Sequence, residues 1–148
     1  MELDKRYHKI PLKRNTVGQF ILAIKFGTRA FNVILDTGAS STVLDLESVR
    51  DSGIPLKKVE MTGGGVGTAE APIFVMPNED ISINGLQIRV SSIYAMDLGH
   101  VNASLIQRAS DKVQGVMGCD ILTANEAIID CKNNALYLLS PYQNFSTV

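Results

Sequence analysis

The chain has 148 residues, of which 45% are hydrophobic and 20% charged, a globular balance sized for a single domain. Its 14 basic and 15 acidic residues leave a net charge of -1, which gives no long-range field to draw in nucleic acid or an anionic membrane. No apolar run approaches the ~20 residues of a membrane helix, and the longest, Phe20–Ile24 and Phe31–Leu35, have the length of strands.

The opening residues lack the apolar core of a signal peptide. This suits a soluble protein, cytoplasmic, or periplasmic if a leader has been removed, and the compartment stays open. Lys5, Arg6, Lys9, Lys13 and Arg14 make the start basic, which reads as a solvated leader rather than a binding arm. Residues 1–8 and 141–148 are expected to be flexible ends of one domain spanning 1–148. Trp is absent and aromatics are sparse, so the core must come mainly from Ile, Leu and Val, a bias toward strands.

Along the chain, Lys9–Leu12, Gln19–Phe26 and Ala30–Leu35 read as strands separated by Asn15–Gly18 and Gly27–Thr28. In the second of these, Phe20, Leu22 and Ile24 alternate with Ile21, Ala23 and Lys25, as in a largely buried strand. Val43–Val49 fits a helical turn or a strand end. Lys57–Met61 and Thr68–Val75 flank the glycines of 63–67 and predict a hairpin. Asp80–Ile83 and Leu86–Ile93 predict another around Asn84–Gly85, a strong two-residue turn signal.

Asn102–Arg108 and Gly118–Asn125 read as short helices, and Ala127–Asp130 and Ala135–Leu139 as strands about the turn Lys132–Asn134. Eight or nine short strands with one or two small helices make an all-β fold, a closed or partly closed barrel. Cys119 and Cys131 are the only cysteines and, with His8 and His100, form no metal-ligand pattern. They are expected to be free, buried thiols, and neither a metal nor a cofactor is expected.

The chemistry-bearing segment is Phe31-Asn-Val-Ile-Leu-Asp36-Thr37-Gly38-Ala39-Ser40-Ser41-Thr42. An apolar strand runs into Asp-Thr-Gly, placing a carboxylate at the end of a buried strand in a tight turn. A buried carboxylate is costly unless hydrogen bonds or a proton compensate, and Thr37 and Ser40 offer hydroxyls to orient it. Taken alone, the motif equally describes an Asx turn after a strand. Two further segments follow in order: the glycine-rich tip Gly63-Gly64-Gly65-Val66-Gly67, and Val116-Met117-Gly118 before a short helix. A phosphate-cradling loop is a weak rival for the glycines, since no Lys-Ser/Thr follows them and they open no helix.

In that order and spacing the three motifs resemble the retropepsin family, the one-domain aspartic peptidases of retroviruses, retroelements and some cellular genomes. The resemblance spans residues 9–139; Ala127–Lys132 with Leu136–Leu138 look like the closing strands of cellular and retroelement members, and the bacterial-type cellular branch is favoured over a viral one. It implies a small closed barrel and an aspartic endopeptidase that works as a homodimer, because only one Asp-Thr-Gly is present. Asp36 and its symmetry mate would share one proton and activate a water against an extended peptide substrate.

By the same resemblance, Thr37 would bond across the dimer axis and Gly38 would offer its backbone to substrate. Ala39 completes the active-site loop, with Ser40 supporting the carboxylate or the peptide. Gly63, Gly64, Gly65, Val66 and Gly67 would form a flap over the peptide, and Val116, Met117 and Gly118 would pack behind the active-site loop. Ser40 and Cys119 stand where many retroviral members carry an acid and an Arg, so an ion pair that helps fix those dimers is missing. The alternatives are a domain of the same fold that binds a peptide without cutting it, and a β-barrel ligand binder unrelated to peptidases.

Overall fold

The computed structural model describes residues 5–59, 71–77 and 80–139. The expected leading and trailing segments fall largely outside these residues, as does the glycine tip at 63–67. Thirteen strands and three helices are formed among the described residues. The strands are β1 (His8–Pro11), β2 (Lys13–Arg14), β3 (Phe20–Phe26), β4 (Arg29–Leu35), β5 (Val43–Asp45), β6 (Lys57–Lys58), β7 (Phe74–Val75), β8 (Ile81–Ile83), β9 (Leu86–Gln87), β10 (Tyr94–Met96), β11 (Gly115–Met117), β12 (Ile128–Asp130) and β13 (Ala135–Leu138). The helices are α1 (Leu46–Asp51), α2 (Gly99–Gln107) and α3 (Cys119–Ala124).

The larger sheet runs β6-β7-β10-β5-β11-β4-β3-β8-β9, with β2 added on β3. It curls into a nearly closed barrel, the mostly β architecture expected from the sequence. The smaller sheet, β1-β13-β12, is antiparallel and joins the two ends of the described chain. Strand β11 is central, lying parallel to β4 and antiparallel to β5. This insertion brings residues 115–117 alongside the strand that leads into Asp36.

Burial explains the registers. On β3, Leu22, Ile24 and Phe26 point into the core, whereas Ala23 and Lys25 face out. Phe26 and Phe31 meet edge to face, with ring centroids 6.1 Å apart, near the centre of that core. The Asn84–Gly85 turn places both residues at positive φ, 51° and 83°, so β8 and β9 pair through the tight turn that dipeptide favours. After a last bond from the Ile88 N–H to the Ile81 carbonyl at 3.0 Å the pairing ceases, and the rest of the expected strand through Ile93 is an irregular stretch before β10. Its backbone is held instead by buried Asn125, whose side chain accepts from the Arg89 N–H at 2.9 Å and donates to the Arg89 carbonyl at 2.8 Å.

The helix count exceeds the expected one or two because the ambiguous stretch after Val43 becomes both a strand end and a helix. Asp45 supplies the cap of α1, its carboxylate accepting from the Ser48 N–H and hydroxyl. Helix α2 begins three residues before its expected start, where Asp97 accepts from the Gly99 N–H at 2.7 Å. None of the helices is long and apolar enough to cross a membrane. Both cysteines are free, yet neither is buried: Cys119 is half-buried in the first turn of α3, and Cys131 is exposed in a hairpin turn.

A second, smaller apolar cluster lies outside the main core. It joins Ile34, Leu105 and Val113, with Val17, Ile21 and Val101 against it. Helix α2 is fastened over this cluster by buried Asn102, which donates to the Val113 carbonyl at 3.0 Å and accepts from the Val113 N–H at 2.8 Å. Asn102→Ala removes both bonds and strands two backbone groups, so it is expected to cost ~2 kcal/mol. A urea unfolding series checks this: the midpoint falls with the slope unchanged.

Candidate active site

Strand β4 carries an apolar run that ends where its sheet partner also ends. Its last pairing is Leu35 with Met117, after which the Asp36 N–H still donates to the Met117 carbonyl at 2.9 Å. The chain then turns sharply. The Asp36 carbonyl accepts from the Ala39 N–H at 3.1 Å, and Asp36 Oδ1 accepts from the Gly38 N–H at 2.8 Å. The Asx-turn geometry anticipated for the bare motif is therefore present.

The carboxylate differs from expectation in two respects. Asp36 is exposed in the single chain, together with Thr37, Gly38 and Ser40, while Ala39 is half-buried. The strand is buried, but its end projects past the sheet, so burial of this carboxylate requires another surface. Moreover, the hydroxyls of Thr37 and Ser40 make no hydrogen bond among the described residues. Orientation comes from the backbone of Gly38, which leaves Asp36 Oδ2 without a hydrogen-bond partner among the described residues, on an exposed side chain.

The expected supporting segment lies beside this loop. Val116 and Met117 pair with Ile34 and Leu35, and Met117 is fully buried in the core, whereas Val116 is half-exposed on the opposite face. Gly118 packs against the loop so closely that a Cβ there would fall 2.6 Å from the Ala39 carbonyl oxygen and 2.9 Å from that of Ser41. No side chain fits, which accounts for glycine at this position. The adjoining Cys119 N–H donates to the Ala39 carbonyl at 2.8 Å, and its Sγ donates to the Thr37 carbonyl at 3.1 Å.

Two residues not singled out from the sequence hold these segments together. Thr42 is completely buried. Its hydroxyl accepts from the Gly118 N–H at 3.0 Å and donates to Asp120 Oδ1 at 2.7 Å, while its N–H donates to Asp120 Oδ2 at 2.9 Å. Asp120 also accepts from the Ile121 N–H at 2.8 Å, so its carboxylate closes the first turn of α3 and the end of the active-site loop at once. Within a single sequence the only signal is a polar residue before the apolar pair Val43-Leu44. The pairing across 78 positions leaves no local trace.

Gly63, Gly64, Gly65, Val66 and Gly67 lie outside the described residues, but the base of their hairpin does not. There β6 pairs antiparallel with β7, and the Val59 N–H donates to the Ile73 carbonyl at 2.8 Å. Among the described residues no group of three or more His, Cys, Asp or Glu side chains is arranged to hold a metal ion. Away from this site Asp130, in the β12–β13 turn, is held below its usual range by hydrogen bonds from the Asn133 side chain and backbone.

Thr42→Val keeps the shape of the side chain but leaves the Gly118 N–H without its acceptor and Asp120 without its shortest donor. It is expected to destabilise the fold by ~2–4 kcal/mol, whereas Thr42→Ser retains most of the stability. Thermal and denaturant unfolding of the two variants, compared with wild type, provide the check.

A family model described as aspartyl protease matches residues 22–121, which contain the Asp36 loop, the hairpin base and β11. The fold is similar to the crystal structure of a retropepsin-like aspartic protease from Rickettsia conorii, with a TM-score of 0.59, 20% identity, and coverage of 89% of this chain and 90% of that one. It is also similar to the retroviral protease-like domain of Ddi1 from Leishmania major, with a TM-score of 0.57, 16% identity, and coverage of 86% and 98%. The sequence finds no significant match among curated proteins. By the extent of the family match and the agreement of the fold, the chain belongs to the aspartyl protease family and has a retropepsin-like structure.

Proposed function

We propose that the protein is an aspartic endopeptidase whose active site forms when two copies bring their Asp36 carboxylates together. The observation that carries this is the exposed Asp36 at the tip of a braced loop, in a chain with a single Asp-Thr-Gly. A lone carboxylate in water is a weak base and cannot act as general acid and general base together. Two carboxylates held close cannot both ionise cheaply, so the pair retains one proton.

In this mechanism the ionised carboxylate takes a proton from a water bound between the two chains. The water oxygen adds to the peptide carbonyl carbon while the protonated carboxyl donates to the carbonyl oxygen. Collapse of the resulting gem-diol breaks the C–N bond, and the leaving nitrogen takes up a proton from the dyad. No acyl-enzyme forms. The Gly38 N–H fixes one carboxylate oxygen in each chain, so the atoms meeting at the axis need little reorganisation.

We assign Thr37 to contacts across the axis, Gly38 to the substrate backbone, and Ala39 and Ser40 to the rim of the same loop. Gly63, Gly64, Gly65, Val66 and Gly67 are assigned to the flap over an extended peptide, with Val116, Met117 and Gly118 as the support beneath. The chain acts as one domain carrying half a site, and the pairing of copies is part of the proposal. It draws support from the family match and from the open face that Asp36 presents.

Asp36→Asn is expected to abolish cleavage of an unstructured protein, lowering the rate by about three orders of magnitude or more, with the unfolding midpoint little changed. Wild-type cleavage should decline as pH rises far enough to strip the shared proton. Paired assays from acidic to alkaline pH test both points; retained activity in the variant, or a flat profile, contradicts the shared-proton dyad.

A further inference from the structure

We infer that Tyr94 sets the size of a substrate side chain accepted along the strip that leads away from Asp36, an inference that rests on the catalytic assignment above. Side chains alternate across a strand, so Ile34 and Asp36 share one face of β4. The pairings carry that face across the sheet in a single row: Ile21 opposite Ile34, Ile34 beside Val116, Val116 opposite Val43, Val43 beside Tyr94, and Tyr94 opposite Val75. The adjacent residues on the other face, Val33, Leu44 and Ala95, are fully buried in the core. The row therefore belongs to the catalytic face.

This row is apolar throughout, yet much of it remains open. Ile34 is covered, being 5% exposed under Leu105 and Val113, so helix α2 closes one end. Val116, Val43, Tyr94 and Val75 are all half-exposed. The far end, at Val75, is the base of the β6–β7 hairpin, where Val75 pairs with Lys57. The open strip crosses four strands, about 14 Å at the usual strand spacing, and lies roughly 7 Å back from Asp36 along β4. Tyr94, on the third strand from β4, is about 14 Å across the sheet from that strand, a span that an extended peptide with its reacting carbonyl at Asp36 covers within a few residues.

Within the strip the three valines are short and branched, and Tyr94 alone is large. Its ring stands between Val43 and Val75, and its hydroxyl has no hydrogen-bond partner among the described residues. The ring occupies the room that a bulky substrate side chain needs. Small aliphatic side chains thus fit against the valines, and large or aromatic ones are rejected by overlap with the ring.

Binding measurements test this separately from catalysis. Fluorescein-labelled short peptides with a central uncleavable hydroxyethylene unit are titrated into wild type, Tyr94→Val, Tyr94→Leu and Tyr94→Phe. Each position flanking the central unit carries Ala, Val, Leu or Phe in turn. At one position wild type and Tyr94→Phe should prefer Ala or Val to Phe by about tenfold. Tyr94→Val and Tyr94→Leu should erase or invert that preference there and nowhere else. Unchanged ratios in both truncations, or no binding of any peptide by wild type, overturn the inference. Cleavage that depends on Asp36 leaves the catalytic assignment standing in either case.

Discussion

The Thr42 hydroxyl is the contact on which the Asp36 loop depends. It is fully buried and uses one oxygen twice, as acceptor for the Gly118 N–H and as donor to Asp120. In water each of those groups would find other partners; inside the fold the buried Gly118 N–H has the Thr42 hydroxyl as its acceptor, and loss of that hydroxyl strands it. The loop from Asp36 to Ser41 is thereby clamped against the start of α3 at a distance only a glycine at 118 permits. The exposed carboxylate is consequently attached to a loop whose backbone is hydrogen-bonded to Met117, Cys119 and itself.

In the proposed dimer that rigidity would have a chemical use. Two carboxylates share a proton effectively only if their separation is held against their mutual repulsion, and long flexible attachments would let them drift apart. Here the position of Asp36 is set by a parallel strand pairing below it, a carbonyl from Met117 at its own N–H, and the Gly38 N–H on its side chain. What the single chain lacks is cover. Asp36, Thr37, Gly38 and Ser40 are exposed together, and in the proposed dimer they would face the second copy; without the acid and Arg that pair in many retroviral relatives, such pairing would rely on other contacts.

Much of the architecture was legible in the sequence because it is written in local periods. The β3–β4 hairpin, the Asn84–Gly85 turn, the short helix after Gly118 and the closing strands each follow from alternation or turn chemistry within a few residues. The motif order around Asp36 was legible too, since the residues are contiguous. Illegible were the features that depend on distant partners. Thr42 and Asp120 meet across 78 residues, Asn125 reaches back 36 to Arg89, and α2 earns its place by covering Ile34. The exposure of Asp36 and Cys131 could not be read from their neighbours, because it depends on where a strand or turn ends relative to the rest of the sheet.

The central claim, that one site is built from two copies of Asp36, is tested most directly by mixing chains. Wild type and Asp36→Asn are unfolded together in varied ratios at fixed total concentration, refolded, and assayed for cleavage. If each site needs both carboxylates, activity follows the square of the wild-type fraction, so an equal mixture retains about a quarter of full activity. Activity proportional to the wild-type fraction, about half for the equal mixture, would show that a single chain suffices and would contradict the account.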